Sequence, residues 1–213
     1  MNTADLISQL AADTRVVPRN KRRNDLAQGI LAGAVVTVVA TLFAFGLQSG
    51  LAQIDGLAPL LMKLAFVSAL GIPAFLVVNR LAQPGVESGA LTSAVAVPTL
   101  MLGALAILQV LMAPTAAWSD IILGGSWQEC PLRIALLSLP ILVGLLFALR
   151  RQAPIDLRRT GAVAGLLAGA MAAAIYALAC TESTAAFVLL WYSCGIAVTT
   201  VVGGLLGPVA LRW

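Results

Sequence analysis

Long apolar runs separated by short polar stretches dominate the chain. Six of them, residues 26–47, 60–81, 90–112, 131–149, 161–180 and 186–211, approach the roughly 20 apolar residues that an α-helix needs to cross the hydrocarbon of a bilayer. Membrane β-strands would instead alternate in polarity over segments of about ten residues. The pattern predicts an all-α membrane protein: a bundle of six transmembrane helices over residues 26–213, preceded by a tail over residues 1–25. The last run is the longest and is expected to tilt or to end in an interfacial turn at Gly207 and Pro208.

Composition supports this class, because 60% of the residues are apolar and only 10% are charged, whereas about a quarter of a soluble domain is charged. About 25 mostly polar residues precede the first run, which argues against a cleaved signal peptide. Charge then sets the sidedness, since Lys and Arg accumulate in loops that stay in the cytoplasm. In a six-span arrangement Arg15, Arg19, Lys21, Arg22, Arg23, Arg80, Arg150, Arg151, Arg158, Arg159 and Arg212 all fall on one side. The opposite loops, 48–59, 113–130 and 181–185, hold Asp55, Asp120, Glu129 and Glu182 without a basic residue. Both termini are therefore expected in the cytoplasm. Lys63 and Arg133 lie just inside run ends, from which they are expected to snorkel outward.

In the tail, TADLISQLAAD at 3–13 reads as a short amphipathic helix with Leu6, Ile7 and Leu10 on one face and Thr3 at the N-cap. So short a helix is marginal alone in water. Its apolar face needs either the lipid surface, helped by the basic cluster that follows, or a soluble protein on which it folds. Within the runs, Gly29, Gly33, Thr37 and Thr41, and Gly161, Gly165, Gly169, Ala173 and Ala177, form stripes of small residues. Such stripes let helix backbones approach closely, within one chain or between two copies of a homodimer. Gly71, Pro73, Pro98 and Pro140 are expected to weaken or kink their helices.

Several chemistries are excluded or disfavoured. Histidine is absent, which removes His-ligated haem, His-containing zinc sites and His general bases. No acidic residue lies in the middle of a run, as an ion-coupled transporter would require. Nucleotide loops, nucleophile elbows and paired carboxylates are lacking too, so an enzyme is not expected.

What remains is a pair of cysteines. Cys130 begins the fourth run and Cys180 ends the fifth; a helical hairpin of nearly equal arms would bring both sulfurs to similar depth outside. Packed helices lie about 8–10 Å apart, close to the roughly 4.4–6.8 Å between Cα atoms that a disulfide tolerates. A structural disulfide of an oxidising compartment is one reading. A reactive pair is another: Pro131 suits the first helical position, making Cys130 the N-cap, where the helix dipole favours a thiolate and Glu129 opposes it. In a third, Cys130 and Cys180 with Glu129 and Glu182, or Asp120, hold a soft or borderline divalent ion, bound transiently and not as a resident cofactor. Trp118, Trp127, Trp191 and Tyr192 are expected to anchor at the outer interface, and Cys194 to be a small packing residue inside the last run.

The tail DLISQLAADTRVV, the segments GGSWQECPLRI and ACTESTAAFVLLWYSCGI, and the final Arg212 and Trp213 together resemble the NrsF family, bacterial inner-membrane anti-sigma factors that control extracytoplasmic-function sigma factors. The most specific elements are W-x-x-C-P from Trp127 to Pro131, and C-x-E at Cys180 followed by Trp191-Tyr192. The resemblance implies that the cytoplasmic part, with Leu6, Ile7 and Leu10, sequesters a sigma factor and makes no direct contact with nucleic acid. It also implies that Cys130 and Cys180 serve the response to heavy metal or oxidant. The tail is too short, and too poor in His and Cys, for a zinc-containing anti-sigma domain. Two rivals remain. A membrane thiol-disulfide oxidoreductase would use the same cysteines, but C-x-x-C and a quinone or haem ligand are missing; a small transporter lacks intramembrane charge.

Overall fold

The six apolar runs become helices because each can satisfy its backbone hydrogen bonds internally along its whole length. The computed structural model describes residues 19–46, 54–81, 91–152 and 154–212, together with Thr3, Asp5, Ile7 and Ser8, which are helical. The helices are α1 (Arg19–Phe45), α2 (Ile54–Leu81), α3 (Leu91–Met112), the short α4 (Trp118–Leu123), α5 (Glu129–Arg150), α6 (Leu157–Tyr176) and α7 (Ala185–Ala210). All but α4 contain a stretch long and apolar enough to cross a membrane. No strand occurs among the described residues. The expected all-helical architecture with six long apolar elements is thus observed.

Three boundaries differ from expectation, each for a local reason. Helix α1 starts at Arg19, so the end of the expected tail is already helical. Helix α6 is capped by Asp156, whose carboxylate accepts from the Arg159 amide at 3.0 Å, and it stops at Tyr176, leaving Cys180 beyond its end. Helix α7 passes through Gly207 and Pro208 without the expected turn. Its early part, Val188–Tyr192, is a π-helical stretch with a widened turn.

Backbone proximity organises the packing. Helices α6 and α7 make the most extensive contact of the bundle, and there the Gly161 and Gly203 backbones meet so closely that a Cβ on either would overlap the other's carbonyl. Gly165 faces the Thr199 carbonyl in the same way, and Thr199 Oγ1 lies 3.1 Å from the Gly165 carbonyl. Helices α1 and α5 repeat the device: Gly29 faces Gly144, Gly33 faces Pro140 and Ile141, and Thr37 Oγ1 donates toward the Leu137 carbonyl at 2.9 Å. These faces are covered within one chain. The two small-residue stripes are therefore packing surfaces of the monomer, not free faces for a second copy. Helix α2 lies against α6, while α3 sits at the edge, against α2 and the start of α7.

Two substitutions separate this close approach from ordinary contact. Gly203→Ala is expected to cost about 1–3 kcal/mol through overpacking, seen as a lowered thermal midpoint of the purified protein, whereas Gly204→Ala, whose Cβ would sit 3.4 Å from Ala162 Cβ, leaves it nearly unchanged. Equal midpoints for the two variants would show that the α6 and α7 backbones are not in contact.

Candidate functional site

At the end of the bundle opposite Arg150 and Leu157, the starts of α2, α5 and α7 meet the segment that follows α6. Cys130 lies in the first turn of α5, and Cys180 lies between α6 and α7. Both are free thiols and both are buried, at 0% and 3% exposure. The two thiols are neighbours that interact with each other. The pairing anticipated from the hairpin is present in the geometry, although α6 ends before Cys180 and an irregular segment delivers it. Helix α5 starts at Glu129 with Gln128 as its N-cap. Cys130 is therefore not the N-cap, and its amide is already bonded to the Ser126 carbonyl at 3.0 Å.

The third member of the cluster was not anticipated. Lys63, expected to snorkel out of α2, turns inward and is 2% exposed. Its Nζ donates to the Cys180 carbonyl at 2.7 Å and faces Cys180, Cys130 and Glu182. Neither ion pair found among the described residues, Arg133 with Glu129 and Arg159 with Asp156, includes it. The signal was in the sequence as the one lysine of an apolar run, about two and a half turns from the helix start; only packing could show which way it pointed. The Cys180 thiol is held below its ordinary range, first by the neighbouring Cys130 thiol and next by the Lys63 ammonium, with burial opposing both.

A cover of backbone and side chains surrounds this cluster. Glu182 Oε1 accepts from the Gly125 amide at 2.8 Å and from Ser126 Oγ at 3.2 Å. Gly124 has φ +59°, and a Cβ there would strike the Glu182 carboxylate and Phe187. Thr184 Oγ1 donates to the Ile121 carbonyl at 2.7 Å, the Ala185 amide to Gln109 Oε1 at 2.9 Å, and Trp191 Nε1 to the Ile122 carbonyl at 2.9 Å. Trp191 also meets Trp127, with ring centroids 5.2 Å apart. Tyr192 is fully buried with its hydroxyl facing Cys180 but reaching no partner at hydrogen-bond geometry. Trp191 and Tyr192 thus pack inward where anchoring was expected, because the π-helical turn brings both to the cover and the core. To one side, Arg133 lies over the Phe45 ring at 4.6 Å, bonds Tyr176 Oη at 3.2 Å and pairs with Glu129.

The remaining expected residues are dispersed. No group of three or more His, Cys, Asp or Glu among the described residues is arranged to hold a metal ion. Glu129 is turned to Arg133 and Glu182 to Gly125 and Ser126, so the ligand set Cys130, Cys180, Glu129 and Glu182 is not gathered in this conformation. Cys194 lies in the last helix as expected, but it is exposed on the bundle surface and not the packing residue anticipated. Ile7 is 62% exposed, while Leu6 and Leu10 lie outside the described residues.

Fold and site together define a six-helix, largely apolar bundle with a covered thiol pair at one end. Residues 10–213 match the family NrsF, described as negative regulator of sigma F, and the chain belongs to that family. It is 36% identical over 215 residues to a protein of Azospira oryzae named probable anti-sigma-F factor NrsF, and 34% identical over 220 residues to the anti-sigma-F factor NrsF of Caulobacter vibrioides. Both alignments cover the whole of each chain. No solved structure matches the chain.

Gly124→Ala is expected to strain the backbone by about 1–3 kcal/mol and to displace Glu182. Alkylation of Cys130 and Cys180 by a maleimide, followed by mass spectrometry, should then run several-fold faster than in the unaltered protein. An unchanged rate would show that Glu182 does not limit access to the sulfurs.

Proposed function

We propose that this protein is an anti-sigma factor: it holds a sigma factor of the extracytoplasmic-function type at the bacterial inner membrane and releases it when the Cys130 and Cys180 pair meets a heavy metal or an oxidant. The observation that carries the reading is similarity along the entire chain to proteins named anti-sigma-F factors. An all-helical chain without a nucleotide loop or nucleophile elbow fits a regulator better than an enzyme.

Six helices of sufficient length and apolarity support membrane insertion, and large apolar side chains such as Val35, Phe43, Leu100, Leu111, Phe147 and Val209 stand on the bundle surface, as lipid contact requires. Basic residues Arg80, Arg150, Arg158 and Arg159 sit at the end opposite the thiols. The positive-inside rule then assigns both termini to the cytoplasm and the thiol pair to the periplasmic side. Membrane-impermeant maleimide should label Ser119→Cys in intact spheroplasts and Arg151→Cys only after lysis; the reverse pattern would invert the orientation.

The cytoplasmic surface that holds the sigma factor includes Leu6, Ile7 and Leu10. An amphipathic helix that folds on its partner needs no preformed domain. Release requires two packings of the bundle with different affinity for the partner, since a signal at one end shifts binding at the other only through such a difference in free energy. Bond formation or ion capture at the thiols would favour the second packing by disturbing the contacts of Lys63 and the cover.

Co-purification from membranes tests both halves. The full chain should retain the sigma factor, the triple change of Leu6, Ile7 and Leu10 to Ala should lose at least about tenfold of it, an expectation from deleting buried apolar anchors, and Cys130→Ser with Cys180→Ser should retain it but abolish induction of a sigma-dependent reporter by metal or oxidant. Induction persisting in the double serine variant would refute thiol sensing, and failure to retain any sigma factor would refute the anti-sigma reading.

A further inference from the structure

A charge buried without a counter-charge is among the most costly arrangements a protein can hold, so the inward turn of Lys63 demands a partner. The side chains facing its ammonium that are able to carry negative charge are Cys180, Cys130 and Glu182. Glu182 is drawn off: its carboxylate takes the Gly125 amide and Ser126 Oγ. Cys130 is fixed in the first turn of α5, where its backbone follows the helix. Cys180 is the residue whose own carbonyl accepts the Lys63 ammonium, at 2.7 Å. Of the two sulfurs it alone is carried by a segment outside any helix. The neighbours are therefore unequal by construction.

Taking the thiol-sensing reading above as its starting point, we propose that the two cysteines have distinct chemical roles: Cys180 is the sulfur that reacts first with a two-electron oxidant of the hydroperoxide class, Cys130 is the sulfur that resolves the product, and Lys63 is the positioning residue that makes Cys180 the attacker. In the first step the Cys180 thiolate attacks one oxygen of the peroxide bond; that bond breaks, Cys180 becomes a sulfenic acid and the other oxygen leaves as hydroxide or alkoxide. In the second step the Cys130 sulfur attacks the Cys180 sulfur, the sulfenic oxygen departs with the Cys130 proton as water, and a disulfide remains. Two electrons leave the sulfur pair and reduce one peroxide.

Several groups facing Cys180 act in this sequence. Lys63 from α2, bonded to the Cys180 carbonyl, sets its charge beside the negative sulfur and, once charge develops on the leaving oxygen, offers it a donor. Cys130 from α5, fixed in the first turn beside Cys180, supplies its proton in the second step. Tyr192 from α7, fully buried with its hydroxyl unpartnered, adds a donor within the same pocket, while Tyr176 from α6 is taken by Arg133. Glu182 borders the cluster with its carboxylate already bonded. Because the sulfenic acid forms on the irregular segment, it is the movable sulfur that swings to a fixed one.

The test uses the purified full chain in lipid nanodiscs, hydrogen peroxide as oxidant, and dimedone trapping of sulfenic acid with mass spectrometry of the two cysteine peptides. Cys130→Ser should accumulate sulfenic acid at Cys180 at least about tenfold faster than Cys180→Ser accumulates it at Cys130, as expected when one sulfur is the thiolate and the other is not. Lys63→Met should slow trapping at Cys180 by a similar factor and Lys63→Arg should restore most of it, a rescue that lost packing alone would not give. Equal rates at the two sulfurs, reaction at neither, or a Lys63→Met protein that reacts as the unaltered one would each overturn the assignment. The comparison of the two serine variants keeps Lys63 intact and decides the question even if Lys63→Met does not fold. Sigma-factor retention and reporter induction, scored separately, report on the anti-sigma and sensing readings and do not enter this result.

Discussion

Direct contact between helix backbones is the constraint on which this bundle rests. Where Gly161 meets Gly203, and Gly29 meets Gly144, no side chain separates the two main chains, so dispersion contacts that Leu or Phe would make at longer range are made by peptide groups at short range. Threonines complete the same interfaces, with Thr37 and Thr199 bridging to carbonyls of the facing helix. An interface of this kind tolerates little sliding, because its shape is backbone and cannot change rotamer. The thiol site inherits that rigidity from two such joints: α7 is fixed to α6, and α5 to α1.

Much of the fold was legible because apolar run length maps onto helices with few alternatives. The two stripes were legible too, since four-residue spacing puts small side chains on one face, and their partners within the chain were settled only by the three-dimensional packing. Boundaries were less so. Nothing in the composition of 177–180 separates them from the helix they follow, and the end of α6 at Tyr176 reflects how the next segment bonds to Ile121, Gln109, Gly125 and Ser126. The juxtaposition of Cys130 with Cys180 could be reasoned from hairpin arm lengths. The inward turn of Lys63 could not, because its direction depends on a carbonyl 117 positions away in the chain. The burial of Tyr192 was equally hidden: run length places it near the outer interface, and only the packing of the π-helical turn that it ends shows its ring in the core.

The thiol pair illustrates how a nearly apolar protein can hold polar chemistry. Most polar groups at that end are matched locally, Glu182 by amide and hydroxyl, Lys63 by a carbonyl, Arg133 by Tyr176, Glu129 and the face of Phe45, while the Tyr192 hydroxyl is left without a partner. The matches are spread over four helices and the segments between them, so no single element owns the site. Regulators that signal through packing benefit from such distribution, because a change at one sulfur disturbs several elements together.

The inward lysine has a mechanical corollary for α2. Successive residues of a helix are separated by about 100° around its axis, and the outer side of α2 carries Leu57, Leu61, Ile72 and Leu76. Rotating this helix by a single position would swing an ammonium group from its carbonyl toward that greasy exterior. Lys63 therefore acts as a key that fixes the azimuth of α2, and any motion transmitted along this helix has to be a tilt or a piston stroke, never a roll.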